Sequence, residues 1–175
     1  MSKTAVRQAI YEYLQPFNSN ITYLSQVYQA LPKIANESDL FELQPAGAGI
    51  GAVIYLFIES MEETRIALGG AHNGRKYRPY TVALLCIMKS DLTDSLDGQI
   101  AFDLFIDSLT EWIQADRTAG TASAGGNGVV FQWGEGGMAG GADLHFTFPV
   151  PKTAKGGVML FQAVGRVSAA EILST

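Results

Sequence analysis

One amphipathic segment constrains the fold of this chain more than any other feature. Between residues 97 and 117, large apolar residues recur at the spacing of one face of an α-helix. They are Phe102, Phe105, Ile106, Leu109, Trp112 and Ile113. Polar residues that suit a hydrated opposite face separate them, namely Asp103, Asp107, Ser108, Glu111 and Gln114. A helix with three large aromatic side chains on one face needs a broad apolar surface to pack against, and a sheet provides one.

The regions before and after this helix are predicted to supply the sheet. Residues 52–59 and 80–88 are dense in β-branched and aromatic side chains, and the second run is apolar on both faces, as in a central strand covered on both sides. Residues 64–68 are predicted to form a hairpin with the first run. Residues 144–148 alternate apolar and polar, and residues 158–167 are the predicted return strand of a long C-terminal hairpin.

Several further segments are assigned from composition and periodicity. Residues 4–14 place apolar side chains on one helical face and predict an N-terminal helix. Residues 20–34 fit a short helix or an irregular arm, and residues 169–173 fit one helical turn. Glycine, alanine and serine dominate residues 118–128 and 134–142, which predicts flexible loops.

Together these segments predict an α+β fold in a single domain, residues 1–175. The sheet is mostly antiparallel and includes a further strand at 129–133. The long helix, at about 97–117, packs on one face, accompanied by the N-terminal helix and the C-terminal β-hairpin. A chain of 175 residues with 47% hydrophobic composition is long enough to fill one such core.

The composition argues against several classes of protein. The net charge is −5 at pH 7, whereas a dedicated nucleic-acid-binding protein normally carries a basic surplus. No apolar run approaches the ~20 residues that a membrane-spanning helix needs. The only cysteine, Cys86, lies in an apolar run, which predicts a buried thiol in a reducing compartment and excludes a disulfide framework.

Motifs for catalysis or cofactor binding are weak. Residues 134–139 (GEGGMA) fit the glycine pattern of a dinucleotide-binding loop, but a predicted strand follows them instead of the helix that the pyrophosphate needs. His72 and His145 have no second histidine or cysteine at ligand spacing. Acidic residues before the long helix, including Asp94, are better explained by helix capping than by a cation loop. We therefore expect no enzymatic activity, no cofactor and no metal.

A basic cluster before the predicted strand at 80–88 leaves three interpretations open. Arg75, Lys76 and Arg78 are interleaved with Tyr77 and Tyr80. Cationic and aromatic side chains together can hold phosphate and stack on bases. The cluster also fits a charged loop joining two strands, or a contact with an acidic surface on a neighbouring copy or partner.

The order of these segments resembles that of the tail terminator and neck proteins of long-tailed bacteriophages. The motifs that carry the resemblance are Pro16-Phe17 after the first helix, residues 21–32 (ITYLSQVYQALP), residues 131–136 (FQWGEG), the alternating residues 143–148 with Pro149, and residues 167–173 (VSAAEIL). The resemblance covers most of the chain. The family it points to shares no invariant catalytic motif.

This resemblance implies a structural virion protein of the head–tail junction. The protein is expected to assemble in the host cytoplasm and to have no membrane partner. Its copies are expected to form a homo-oligomeric ring, a hexamer, that caps the tail tube, ends its elongation and joins a head-completion or connector protein. The expected contact residues are Pro149, Pro151, Lys152, Lys155, Gly156 and Gly157 on a projecting hairpin, with Gly134, Glu135 and Gly136 on a glycine loop. The alternative is a DNA-contacting neck protein in which Arg75, Lys76 and Arg78 line the channel and meet genomic DNA in passing.

Overall fold

Two helices and eight strands make up the regular structure of the described residues, and the predicted α+β class is confirmed. The computed structural model describes residues 3–15, 21–31, 50–67, 75–91, 94–116, 130–133, 144–153 and 158–174, with the backbone alone at 65–67, 75–76, 130–133 and 171–174. The elements, in chain order, are α1 (Lys3–Tyr13), β1 (Leu24–Tyr28), β2 (Gly51–Met61), β3 (Thr64–Ala67), β4 (Arg75–Ser90), α2 (Ser95–Ala115), β5 (Val130–Trp133), β6 (Leu144–Thr147), β7 (Lys152–Thr153) and β8 (Met159–Ser174). The predicted flexible loops at 118–128 and 134–142 lie outside the described residues.

The sheet is built on two strands of 16 residues each, β4 and β8. They pair antiparallel over their whole length, from Arg75 opposite Ser174 to Ser90 opposite Met159. At ~3.3 Å per residue, each strand spans roughly 50 Å, far more than a typical strand. The other edge of β4 pairs with β2 and then β3, and the other edge of β8 pairs with β7, β6 and β5 in succession. β1 extends the sheet beyond β2 in parallel.

Alternating apolar residues turn one face of this sheet toward both helices. The sheet contributes to this core Ala52, Ile54, Leu56, Ile58, Tyr80, Val82, Leu84, Cys86, Met88, Phe161, Ala163, Val167 and Ala169. The helices, with Leu14 directly after α1, contribute Val6, Ile10, Leu14, Ala101, Phe102, Phe105, Ile106, Leu109 and Ile113. Val53, Tyr55, Ile87 and Leu160 form a second buried cluster from the alternate positions of the same strands. The prediction of a central strand with two apolar faces is therefore confirmed for β4.

Helix α2 begins two residues before the predicted start at 97 and ends two residues before the predicted end at 117. Asp94 caps it, because its side chain accepts a hydrogen bond from the Leu96 amide at 2.8 Å. Phe102 stacks on Phe161 of β8, with ring centroids 5.5 Å apart. Trp112, predicted to be in the core, is instead half-buried and stacks on Tyr13 of α1 at 5.3 Å.

Three local predictions are wrong. The segment at 20–34 contains strand β1, not a helix or an arm, and pairs parallel with β2. Strand β3, predicted to pair with the run at 52–59, continues β2 in line and pairs with β4. Residues 169–173 belong to β8, because β4 and β5 offer hydrogen-bond partners on both sides and override the helix-forming composition of that stretch.

Candidate interaction surfaces

The outward face of α2 carries an exposed apolar line. Leu96, Ile100 and Leu104 are four residues apart and so follow one another along the helix, on the side opposite Phe102 and Leu109. Their exposed fractions are 62%, 49% and 49%. A buried helix face needs apolar residues, but an outward face normally does not. We refer to these three residues as the α2 line.

The same helix is strongly acidic. Asp97, Asp103, Asp107 and Glu111 are all exposed, and the helix has no lysine or arginine. Asp103 also accepts a hydrogen bond from Gln99 Nε2 at 2.7 Å. The helical spacing places Asp97 and Asp103 beside the α2 line and Asp107 beyond its end. The outward face of α2 is therefore both apolar and negative.

A second exposed apolar element joins β6 to β7. In this segment, residues 148–152 (FPVPK), Phe148 and Val150 have exposed fractions of 59% and 84%. Phe148 and Phe102 of α2 form an edge-to-face pair, with ring centroids 6.4 Å apart and planes at 89°. The prolines at 149 and 151 lack amide protons, so they cannot contribute to a strand ladder as donors. We call residues 148–152 the proline segment.

This segment contains the part of the predicted contact hairpin that the structure describes. Pro149 and Pro151 are exposed, and Lys152 is half-buried at the start of β7, opposite Leu160. The other predicted contact residues, Lys155, Gly156, Gly157, Gly134, Glu135 and Gly136, lie outside the described residues. The structure thus places three of the nine predicted contact residues, and all three lie on one short stretch.

The predicted basic cluster is only partly described. Arg75 and Lys76 lie at the start of β4, opposite β3, and only their backbone is described. Arg78 is bound within the chain, since its Nε and Nη2 both lie 2.6 Å from Glu63 Oε2. Tyr80 is buried in the core. The ion pair with Glu63 neutralises one of the three cations proposed to contact DNA.

Two arginine–carboxylate pairs also account for acidic residues near the end of β2. Arg166 of β8 donates from Nε and Nη2 to the two carboxylate oxygens of Glu59, at 2.8 and 2.9 Å. Hydrogen bonding to Arg166 lowers the pKa of Glu59. The pair spans β4, where Ala83 is paired with Arg166 and is fully buried. This arrangement links β2 to β8 across β4 and favours the ionised form of the Glu59 carboxylate.

Groups with chemical reactivity are not assembled into a site in the described part of the chain. Burial raises the pKa of the Cys86 thiol, which lies in the core. His145 is exposed on β6, and no group of three or more histidine, cysteine or acidic residues in the described ranges is arranged to hold a metal ion. Neither described helix is long and apolar enough to span a membrane.

The α2 line was missed by the sequence interpretation, although the sequence contains its signal. Leu96, Ile100 and Leu104 repeat at i, i+4 and i+8, but the neighbouring acidic residues led to the whole face being described as hydrated. Only one side of α2 faces the sheet, so a second apolar line on its opposite side is left at the surface.

Comparison of the sequence with protein-family models gave no match, and no curated protein is significantly similar to the chain.

Proposed function

We propose that this chain is a non-enzymatic virion assembly protein: a tail terminator of a long-tailed bacteriophage, or an adjacent head–tail joining component, that acts as a ring. The observation that carries the proposal is the concentration of exposed apolar side chains on α2 and the proline segment. Of nine large exposed hydrophobic residues in the described ranges, these two elements supply five. Large apolar side chains grouped at the surface of one element are typical of surfaces that bind other proteins.

The proposed mechanism is capping. The last subunits of a growing tail tube expose the surface that would recruit the next ring of tube protein. A ring of this chain covers that surface and presents a different one to a head-completion or connector protein. Such a task requires no catalytic group. It requires a rigid subunit with distinct binding surfaces, and the two helices packed on a continuous eight-stranded sheet support that role.

The test is a tube-elongation assay with the tail tube protein of the phage that encodes the chain. Polymerising the tube protein with and without this protein is expected to give shorter tubes in its presence. Electron microscopy is expected to show ring-shaped density at one end of each tube and none along its wall. Unchanged tube lengths and bare tube ends at saturating protein concentration would refute the proposal.

The DNA-contacting alternative makes a different prediction. Phosphate contacts by Arg75, Lys76 and Arg78 would give DNA binding that weakens steeply with salt and is lost when all three are replaced by alanine. The Arg78–Glu63 pair and the net charge of −5 favour the capping function over this alternative. Salt-dependent DNA binding by the wild type, abolished in the triple variant, would reverse that preference.

A further inference from the structure

We propose that the outward face of α2 binds an amphipathic helix of a partner protein, with apolar side chains along one row of that helix and lysine or arginine along the next. This inference names the kind of partner segment that the surface takes, and in that respect it rests on the proposed function. Two features of α2 carry it: the exposed α2 line, and a row of carboxylates beside that line.

The outward face of α2 consists of two parallel rows of exposed side chains. The first row is the α2 line, with a residue at every fourth position. The second row, which we call the acidic row, has the same spacing and consists of Asp103, Asp107 and Glu111. Residues three positions apart on a helix are neighbours, so Asp103 lies beside Ile100 and Asp107 lies beside Leu104. The two rows therefore run side by side with a groove between them.

The apolar row is accessible to a partner. The sheet lies against the opposite side of α2, where Phe105 and Leu109 are fully buried, and the residues of the α2 line keep about half or more of their surface exposed. Covering them with apolar side chains of a partner would remove apolar surface from water. A helix suits this surface, because a ridge of side chains on one helix packs into the groove between two such rows on another.

The acidic row determines the charge of the partner. Asp103, Asp107 and Glu111 are four residues apart, and like charges at this spacing destabilise a helix. The helix has no lysine or arginine to offset them, and in the described part of the chain no cation forms an ion pair with any of the three. Lysine or arginine on a partner helix would relieve this repulsion and complement the charge of the row.

The same charges make other occupants unfavourable. Nucleic acids and anionic lipid surfaces are negative, so the acidic row would repel them. A second copy that packed α2 against α2 would bring two acidic rows together, and the chain as a whole has a net charge of −5. A positively charged amphipathic segment of a different protein is the occupant that fits both rows.

The probe is a synthetic helical peptide that matches the two rows. Residues 96–111 cover about 22 Å of α2 at ~1.5 Å per residue, so the peptide has about 16 residues. It has leucine at every fourth position, lysine three positions after each leucine, and alanine or glutamine elsewhere to favour a helix. We call it the lysine peptide. One control, the glutamate peptide, has glutamate in place of every lysine, and a second control has glutamine in place of every leucine.

Fluorescence anisotropy of the labelled peptides, titrated with the protein up to about 1 mM, measures binding. The lysine peptide is expected to bind with a dissociation constant in the micromolar range. Each control peptide is expected to bind at least about tenfold more weakly, because it lacks one of the two complementary rows. Absence of binding by the lysine peptide, or equal affinities of the lysine and glutamate peptides, would overturn the inference.

Variants of the protein locate the binding site. Ile100→Gln removes an apolar side chain from the α2 line without changing the charge, and Met61→Gln is its matched control at an exposed apolar position of β2. Asp107→Lys reverses one charge of the acidic row. Its matched control is Glu62→Lys, which reverses the charge of an exposed carboxylate directly after β2.

The expected result is a loss of affinity in the two α2 variants alone. Ile100→Gln and Asp107→Lys should each weaken binding of the lysine peptide about tenfold, whereas both controls stay within about twofold of the wild type. Asp107→Lys should also bind the glutamate peptide more tightly than the wild type does, because the charges then attract. Matching circular dichroism melting curves will show that the variants fold. If either α2 variant bound the lysine peptide like its control, the inference would be wrong.

Two further outcomes concern a second copy and the proposed function. Sedimentation velocity that shows self-association of the wild type, abolished by Ile100→Gln, would assign this face to a second copy and overturn the inference. Lysine-peptide binding that depends on Ile100 and Asp107, by a protein that leaves tail tubes uncapped, would support the partner assignment and refute the capping role. Capping by a protein that does not bind the lysine peptide would do the reverse.

Discussion

Tyr13 and Trp112 connect the two helices by a reciprocal pair of hydrogen bonds. The Tyr13 hydroxyl donates to the Trp112 carbonyl oxygen at 2.7 Å, and Trp112 Nε1 donates to the Tyr13 carbonyl oxygen at 3.3 Å. The two rings stack with an interplanar angle of 24°. Each side chain thus satisfies a backbone carbonyl of the other helix near its C-terminal end, where carbonyl groups lack partners within the helix.

Substitution of Trp112 separates the hydrogen bond from the stacking. Trp112→Phe keeps an aromatic ring and is expected to lower the free energy of unfolding by about 1 kcal/mol through loss of the hydrogen bond. Trp112→Ala also removes the ring and is expected to cost about 2–4 kcal/mol, below the upper end for an aromatic core residue because Trp112 is only half-buried. Urea denaturation will measure both. Gln114→Ala, on an exposed site of the same helix, is the control, and a near-neutral Trp112→Ala would show that the stacking does not hold the helices together.

Tyr13 also makes stability depend on pH in the alkaline range. Burial, together with the nearby carboxylate of Asp116, raises the pKa of Tyr13 to about 12. The unfolded chain, with a tyrosine pKa of about 10, releases this proton first. The stabilisation of the folded state by protonated Tyr13 is therefore complete below about pH 10. It is lost as the pH rises toward about 12. Urea midpoints of Tyr13→Phe should fall less across this window than those of the wild type. If the urea midpoints of both proteins fell equally with pH, the raised pKa of Tyr13 would not be the cause.

At the level of single elements, the start of α2 depends on one acidic cap. Asp94 has an extended backbone, with φ −99° and ψ 126°, and its side chain accepts from the Leu96 amide. Asp97 adds a negative charge in the first turn, where the helix dipole favours it. The predicted capping role of Asp94 is thereby confirmed.

Removal of this cap is a direct test. Asp94→Ala is expected to lower the free energy of unfolding by about 0.5–2 kcal/mol, whereas Asp94→Ser, which keeps a capping oxygen, should recover most of the loss. Chemical denaturation followed by circular dichroism will compare the two. Should the alanine and serine variants prove equally destabilised, a role other than capping would have to be assigned to this carboxylate.

Strand β1 illustrates how an element can form where its local signal is weak. Tyr23, the residue before it, has φ 62°, a left-handed conformation that non-glycine residues seldom adopt. Its carbonyl accepts a hydrogen bond from the Ala52 amide at 2.9 Å. Val27 is buried in the helix-side core, and Tyr28 stacks on Tyr55 of β2 at 5.0 Å. Contacts with a strand more than twenty residues away therefore stabilise the turn and the strand.

For the molecule as a whole, the long β4–β8 pair is the centre of the sheet. β4 is hydrogen-bonded on both edges, to β2 and β8, and its residues between Val82 and Met88 are buried or nearly so on both faces. Both helices share one core with the sheet, with α1 against β2 and α2 against β8. Separating β4 from β8 would therefore expose the whole core, so these strands are expected to open only when the entire domain unfolds.

Hydrogen exchange measured by mass spectrometry tests this hierarchy. Peptides that cover residues 82–88 are expected to exchange most slowly, with opening free energies equal to that of global unfolding. Peptides from α1, which lies outside the sheet, are expected to exchange faster. If residues 82–88 exchanged as fast as α1, β4 would not be the centre of the cooperative unit.

Hydrophobic periodicity predicted more of this fold than of its interaction surfaces. Five of the six core residues predicted on α2, all except Trp112, and the two apolar faces of β4 were correct, because apolar side chains repeated at helical or strand spacing form a continuous face that has to be buried. The exposed apolar residues were less accessible to that reasoning. Pro149 and Pro151 could be selected as turn residues on a predicted hairpin, but exposure of Leu96, Ile100 and Leu104 depends on which side of α2 the sheet occupies.

Local patterns in the chain were thus sufficient to specify its α+β class, the presence of a long helix near residues 97–117 and most of the residues that this helix buries. Strand partners were settled by packing: β3 pairs with β4 instead of β2, and residues 169–173 extend β8 instead of forming a helical turn. The physical reason is the sequence separation over which each kind of interaction acts. Periodicity and capping act between residues a few positions apart, whereas hydrogen-bond partners in a sheet, and the surfaces left uncovered, depend on segments that only folding brings together.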